Sequence, residues 1–168
     1  MEDDWEKLPL FIKATEISEL VDHIVTAVEN TDIDFEDDIR AEMLESNLDY
    51  LRENSLIIPA KIAGVASEDT LYDLRMENAA IIRKAARELI TNARGLQMHG
   101  YKDTAYLDLL RTAVEEFRIL FAEWVKTFDE WNYIIDRWGL FNPPGVNYDD
   151  HDPDDDIPFD PNDFFDED

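Results

Sequence analysis

The chain has 168 residues, of which 45% are hydrophobic, no cysteine, and a formal net charge of −26 at pH 7. This length suits one domain with a hydrophobic core, and the lack of cysteine excludes disulfides and thiolate metal sites. The acidic balance disfavours phosphate backbones and anionic membranes as partners and favours basic ones.

Charge and hydropathy change along the chain. Residues 138–168 hold 11 of the 41 acids and none of the 15 basic residues. The start, Met1 to Trp5, lacks the basic and apolar stretches of a signal peptide, and no apolar run approaches the ~18 residues of a membrane span. We therefore expect a cytoplasmic protein that does not cross a membrane.

Three series of apolar residues, spaced alternately by three and four positions, predict the first three helices. They run from Leu10 to Val28, from Leu44 to Ile62 (where Ser55 takes one position of the series), and from Ala79 to Leu96. Such spacing places the apolar side chains on one helical face that packs against other helices. Within the second series, Pro59 should kink the helix or end it near Ile58.

A fourth series runs from Tyr106 to Trp124 and resumes at Trp131, Ile135 and Trp138. It predicts a long last helix, which Gly139 would stop. Trp124, Trp131 and Trp138 would then share one helical face, so these three and Trp5 are predicted to lie in the core or at an interface.

The residues between the series predict short connections. Thr31 to Asp34 separates the first two helices, Ser67-Glu68-Asp69 is typical of a helix start, and Gly100 suits the left-handed end of the third helix. Short connections favour an all-α, antiparallel up-down four-helix bundle. We assign residues 1–138 to this bundle and residues 139–168 to an extended acidic C-terminal tail.

The fourth helix carries more apolar surface than a core-facing stripe requires. Two explanations stay open for the additional side chains: they contact neighbouring helices, or they form a subunit interface that would make the protein a homo-oligomer. The candidate interface residues are Leu107, Val114, Phe121, Val125 and Phe128.

Three stretches carry a family resemblance: Ile58-Pro59-Ala60-Lys61-Ile62-Ala63-Gly64, the turn His99-Gly100-Tyr101, and the series from Tyr106 to Trp124. In these the chain resembles the bacterial four-helix-bundle proteins of ribosomal-RNA intervening sequences and the accessory variability proteins of retroelements. The resemblance implies a non-enzymatic, ring-shaped homo-oligomer and, in the retroelement branch, a basic surface for RNA and a reverse transcriptase. This chain is acidic instead, and Lys61 to Gly64 lacks the Asn and Glu of the family pattern.

One stretch of residues 1–138 has an excess of basic residues. Arg83, Lys84, Arg87 and Arg94 fall at outward positions of the third helix. They form either a strip that contacts the phosphates of RNA or DNA, or a solvated face that acids of the second helix or the tail neutralise. The tail could also lie over this strip and compete with an anionic ligand.

The C-terminal tail combines acids with aromatic rings. Asp154-Asp155-Asp156-Ile157-Pro158-Phe159 resembles the acidic tip by which bacterial single-stranded DNA-binding proteins recruit other enzymes, and Phe164 and Phe165 follow. The resemblance implies that Phe159 fills an apolar pocket while the aspartates pair with basic residues on its rim. In that family the phenylalanine ends the chain, whereas nine residues follow Phe159 here.

These features predict a non-catalytic accessory module whose tail binds a basic protein that processes nucleic acid. Two alternatives remain: an RNA- or DNA-binding accessory protein of a reverse-transcriptase retroelement, and an inhibitor whose acidic body mimics nucleic acid. The tail could also be a disordered acidic segment with incidental aromatic residues. No residues form a recognisable catalytic, cofactor-binding or metal-binding pattern, so we expect no enzymatic activity and no cofactor.

Overall fold

The computed structural model describes residues 4–156 and, for Asp155, the backbone alone. Four helices make up most of it: α1, Pro9–Glu29; α2, Asp38–Gly64; α3, Tyr72–Met98; and α4, Ala105–Val125. Two short 3-10 helices, Asp4–Lys7 and Pro153–Asp156, lie near the two ends, and the described residues contain no strand. The all-α, four-helix prediction is confirmed.

One hydrophobic core receives side chains from all four helices. Ile17, Leu51, Ile82 and Leu110, one from each helix, are completely inaccessible to solvent. Four helix pairs form the main contacts, and among these α2 with α3 is the most extensive pair and α3 with α4 the least extensive. The four apolar series therefore do face a common interior, while the seam between α3 and α4 is the loosest.

The turn after α3 confirms the role assigned to Gly100. Its φ of +117° is one that residues with a Cβ rarely adopt. The Gly100 N–H donates to the Gln97 carbonyl, and the Tyr101 N–H donates to the Leu96 carbonyl at 3.0 Å. These bonds satisfy carbonyls that the helix end leaves unpaired, and they bring Tyr101, only 2% exposed, into the core.

Two helix boundaries bear on the predictions. α2 continues through Pro59 to Gly64, so of the two effects predicted for Pro59 the structure excludes an end near Ile58. Ile58 and Ile62 on either side are fully buried. Burying each contributes roughly 1.5–3 kcal/mol, which together offset the roughly 3 kcal/mol cost of an interior proline. α3 begins at Tyr72 rather than at Ser67, whose hydroxyl accepts from the Asp69 N–H in the preceding turn.

The fourth helix is shorter than predicted. α4 ends at Val125, and Trp131, Ile135 and Trp138 lie outside any helix. Just beyond α4, the Asp129 carboxylate accepts a hydrogen bond from the Trp131 N–H at 2.9 Å. Such a local bond occupies a backbone donor that helix continuation would need.

Candidate functional site

Residues 129–150, which we call the tryptophan loop, are attached to the turn that precedes α3. The Asn132 carbonyl accepts from the Tyr72 N–H at 2.8 Å. Its side-chain amide donates to the carbonyls of Asp69 at 3.2 Å and Thr70 at 3.4 Å. The first of these bonds also satisfies one of the unpaired N–H groups at the start of α3, so Asn132 joins the loop to the helices.

A second contact holds the residues that lead into the loop. Phe128 is 5% exposed, and the Arg75 guanidinium lies 5.3 Å from the centre of its ring. Arg75 also donates to the Ser67 carbonyl. Burial lowers the pKa of Arg75, while the charges of Glu68 and Asp129 act in the opposite direction. A buried cation thus fixes the end of α4 against the start of α3.

Asp136 organises the first half of the tryptophan loop. Its carboxylate accepts from the backbone N–H groups of Trp138, Leu140 and Phe141 at 3.0, 2.9 and 2.8 Å. These bonds, that of Phe141 most strongly, hold the pKa of Asp136 below its usual value. Asn142 adds two more, accepting from the Asp136 N–H at 2.7 Å and donating to its carbonyl at 2.9 Å.

Arg137 closes the second half of the loop. Its guanidinium donates to the carbonyls of Tyr148 at 2.9 Å and Asp150 at 2.7 Å. Gly139, at a φ of +71°, lies so close that a Cβ there would be 3.3 Å from the Tyr148 Cβ. Residues 139–150 are therefore folded back onto residues 136–138 by hydrogen bonds, which corrects the prediction that an extended tail begins at residue 139.

The loop displays large apolar side chains. Trp131 is 91% exposed and Trp138 is 95% exposed, with Ile134, Leu140 and Tyr148 also exposed. The prediction that these two tryptophans share a helical face is wrong, because α4 ends before them, and they do not lie in the core; their place at an interface stays a prediction. A hydrogen-bonded loop that holds two tryptophans in solvent is a candidate recognition surface.

The electrostatic surroundings of these rings are negative. Within the loop, Asp129, Glu130, Asp149 and Asp150 accompany Asp136, against the single base Arg137. More aspartates follow in the 3-10 helix Pro153–Asp156. The arrangement offers apolar rings within an acidic field, which suits a basic protein surface and repels phosphate.

The predicted tail residues are described only in part. Asp154 and Asp156 lie in the 3-10 helix, where His151 Nε2 is 2.9 Å from the Asp156 carboxylate. Asp155 is placed in the same turn by its backbone. Ile157, Pro158, Phe159, Phe164 and Phe165 lie outside the described residues, so their role in partner binding stays a prediction.

The basic residues of α3 are exposed, as predicted. Arg83, Lys84 and Arg87 border one shallow depression, and Arg94 is exposed about two turns further along the helix. Lys84 pairs with Glu88 of its own helix at 3.7 Å. Within residues 4–156 no acid of α2 forms an ion pair with these four side chains, so the expected neutralisation by the second helix is not found there.

The burial of the five candidate interface residues bears on the two explanations for the surplus apolar surface of the fourth helix. Leu107, Val114 and Phe128 are buried inside the chain itself, at 0, 9 and 5% exposure. These three side chains therefore pack mainly within the chain, as the first explanation expects. Phe121 and Val125 are half-buried. Self-association of the protein stays a prediction.

Other site classes find little support in the described part of the chain. No group of three or more histidine and acidic side chains there could hold a metal ion. None of its helices is long and apolar enough to span a bilayer. No protein-family model, curated protein or solved structure matches this chain. The resemblance to the intervening-sequence and retroelement proteins therefore stays a prediction.

Proposed function

We propose that this protein is a non-catalytic interaction module that captures a basic protein through its acidic, aromatic C-terminal region. The observation that carries the proposal is the exposure of Trp131 and Trp138 on a hydrogen-bonded loop. Tryptophan is enriched among the residues that dominate protein–protein binding energies. The tail phenylalanines would extend the same surface.

The magnitudes favour the two tryptophans as anchors. A tryptophan side chain buries about 150–250 Å² when it enters a partner, which contributes roughly 4–6 kcal/mol at ~25 cal/mol per Å². Ordering a flexible segment at an interface would subtract from that gain. The bonds made by Asp136 and Arg137 already fix the loop, so little of the gain would be lost.

Charge would select the partner. The loop and the following 3-10 helix supply carboxylates beside the tryptophans, and complementary charge accelerates encounter and excludes partners of like sign. We expect the partner to present lysines or arginines around an apolar depression. A protein that handles nucleic acid has such surfaces, which makes that class the favoured partner.

The test is a quantitative pull-down from native cell extract with the full chain, followed by reconstitution with the purified captured protein. We expect Trp131→Ala/Trp138→Ala to weaken capture at least tenfold, a free-energy change of about 1.4 kcal/mol. The control is Tyr50→Ala/Leu56→Ala, which removes exposed apolar side chains of α2. Equal recovery by wild type and the tryptophan variant would contradict the proposal.

A second set of pull-downs tests the phenylalanines of the tail and the salt dependence of capture. Phe159→Ala/Phe164→Ala/Phe165→Ala should also reduce capture, and recovery should fall as salt is raised because exposed charges are screened. Capture that depends on the phenylalanines alone would move the site from the tryptophan loop to the tail. Capture that is insensitive to salt would contradict a basic partner.

The helices would serve this module as a scaffold. Their short connections, from residue 30 to 37, 65 to 71 and 99 to 104, support an antiparallel up-down arrangement. Such a bundle would hold the C-terminal region at one end, beside the start of α3.

A second candidate function is RNA or DNA binding through the α3 strip. It is favoured by the exposed Arg83, Lys84 and Arg87 around one depression, and it is opposed by the net charge of −26. It predicts salt-sensitive binding of a single-stranded oligonucleotide that Arg83→Glu/Arg87→Glu abolishes. Absence of binding at low salt by a chain that lacks the acidic residues 157–168 would remove this candidate.

A further inference from the structure

A groove lies along the loosest seam of the fold. Between α3 and α4 there is a depression of about 210 Å³, which we call the α3–α4 groove. Its floor includes the buried Val114 and Phe117 and the half-buried Ile90 and Phe121. A closed apolar cavity of about 150 Å³ is enough to hold benzene. The groove is therefore large enough to accept one aromatic side chain.

Arginines border this apolar floor. Arg83 and Arg87 approach from α3 and Arg118 from α4. Arg118 is paired with Glu115 at 2.5 Å, whereas Arg83 and Arg87 form no ion pair with any side chain of residues 4–156 that the structure describes. Glu115 also lines the groove, so the rim carries three arginines and one glutamate. An apolar floor with this excess of positive charge on its rim suits a peptide that presents an aromatic ring between carboxylates.

The chain contains such a peptide. Residues 157–168 include three phenylalanines and five acids and no base. We propose that the α3–α4 groove is a binding site for acidic aromatic peptide and that its occupant is this chain's own residues 157–168. A ring from among Phe159, Phe164 and Phe165 rests on the apolar floor, and neighbouring carboxylates pair with Arg83 and Arg87.

The chain is long enough for this contact. Arg83 lies three helical turns, about 17 Å, along α3 from Tyr72, whose N–H bonds the Asn132 carbonyl, and the five residues from Asn132 to Arg137 span at most about 18 Å. Because the Arg137 side chain bonds the Asp150 carbonyl, Asp150 lies within about 50 Å of Arg83 even with that stretch fully extended. From Asp150 to Phe165 the chain can span about 50 Å. The fold of the tryptophan loop shortens the real separation further.

Docking in cis gives the module a means of regulation. An external basic partner and the α3–α4 groove compete for the same phenylalanines. Docking in the groove therefore lowers the apparent affinity of the chain for that partner. This consequence alone rests on the proposed function. Disrupting the groove with Arg83→Glu/Arg87→Glu should therefore increase capture of the partner. Docking without any effect on capture would count against the role of the tail in partner binding and leave the groove assignment intact.

The test uses the full chain with one added label. Because the chain lacks cysteine, Asn162→Cys creates a single attachment point for a nitroxide spin label. In amide NMR spectra, the label should broaden signals of Ile90, Phe117 and Phe121 selectively. Arg83→Glu/Arg87→Glu should lower the docked-to-free ratio about tenfold or more, because each reversal replaces attraction with repulsion. Replacing the three phenylalanines by alanine should abolish the selective broadening.

Arg94→Glu is the matched control, since it reverses an exposed arginine of the same helix that does not border the groove. It should leave the broadening unchanged, and unperturbed amide spectra elsewhere would verify that each variant is folded. Three results would overturn the proposal. The first is broadening that is absent from the groove or equal over the whole surface. The second is broadening that disappears on dilution, which would assign the contact to a second copy. The third is groove signals that shift only when a single-stranded RNA oligonucleotide is added, which would assign the arginines to nucleic acid.

Discussion

The helical core and the tryptophan loop use large apolar side chains in opposite ways. In the core, Phe117 and Tyr101 are 1 and 2% exposed, and apolar burial holds the helices together. In the loop, Trp131 and Trp138 are almost completely exposed, and hydrogen bonds to Asp136 and Arg137 hold the backbone instead.

This difference separates stability from recognition. A ring that is already buried has no apolar surface left to offer a partner, whereas an exposed ring on an ordered backbone retains all of it. Truncations in the two regions should therefore have opposite signatures: loss of stability with binding retained wherever the variant folds, or loss of binding with stability retained.

The largest expected effect is in the core. Leu51→Ala removes a fully buried side chain and should lower the free energy of unfolding by about 2–5 kcal/mol. Trp138→Ala removes a larger side chain that is 95% exposed, and it should change the free energy of unfolding by less than about 0.5 kcal/mol. Urea denaturation followed by far-UV circular dichroism measures both. A comparable loss for the two variants would end the distinction between the regions.

Substitution of Arg75 tests the junction between the helical core and the tryptophan loop. Arg75→Met removes the cation beside the Phe128 ring and the donor to the Ser67 carbonyl, so we expect a loss of about 1–3 kcal/mol in unfolding free energy. Arg94→Met, at an exposed position of the same helix, is the control and should change stability by less than about 0.5 kcal/mol. Equal stability of the two variants would show that the junction contributes nothing.

Substitution of Asn132 tests whether the tryptophan loop can detach from the helices while the core stays folded. Asn132→Ala loses both side-chain bonds to the turn before α3, at a cost of about 1 kcal/mol. Hydrogen exchange should accelerate at the Tyr72 amide, which bonds the Asn132 carbonyl, and remain slow at Leu51. Acceleration at Leu51 to the same extent would mean that loop and core open together.

The smallest effect should come from titrating Asp136. Its pKa is lowered by backbone donors that exist only in the ordered loop, that of Phe141 first. The bonds therefore favour the ordered loop above the ordinary aspartate pKa, and this contribution is lost as pH falls through the lowered value. The Phe141 amide shift should titrate with a midpoint below 3.8, and Asp136→Asn should remove that step. A midpoint at or above the ordinary value would contradict the bonding described for the loop.

The sequence was sufficient to predict the helices because their signal is periodic. Ile17, Leu51, Ile82 and Leu110 each occupy a position in one of the four apolar series, and all four are completely buried. The three- and four-residue spacing follows directly from helix geometry, so burial could be assigned without coordinates. Gly100 was identifiable for a similar reason, since a helix end at that place requires a positive φ.

The tryptophan loop was missed because its spacing imitates a helix. Trp131, Ile135 and Trp138 continue the apolar rhythm of α4, yet Asp129 bonds the Trp131 N–H and ends that possibility. The available signal was the density of Asp, Asn, Gly and Pro from residue 129 to 147, which favours side-chain bonds to the backbone over helix. The partners Asp136 and Asn142 are six residues apart, and no periodic pattern reveals their reciprocal bonds.

The α3–α4 groove was beyond sequence analysis for a different reason. Arg83 and Arg87 could be placed on an outward face of the third helix, but Arg118 belongs to another helix. Whether the three border one depression depends on the rotation of α3 against α4, and on how loosely the two helices pack. The surplus apolar residues of α4 were likewise undecided until their burial was known.

The central claim is that Trp131 and Trp138 are exposed to solvent in the free chain and become buried when a partner binds. It is tested most directly by ¹⁹F NMR of the full chain labelled with 5-fluorotryptophan. The four resonances are assigned by single substitutions. In the free chain, those of Trp131 and Trp138 should show the full solvent isotope shift between H₂O and D₂O, and those of Trp5 and Trp124 a reduced one. When the captured partner is added, only the Trp131 and Trp138 resonances should lose their solvent isotope shift. Protection of Trp131 and Trp138 in the free chain, or unchanged exposure in the complex, would contradict the account.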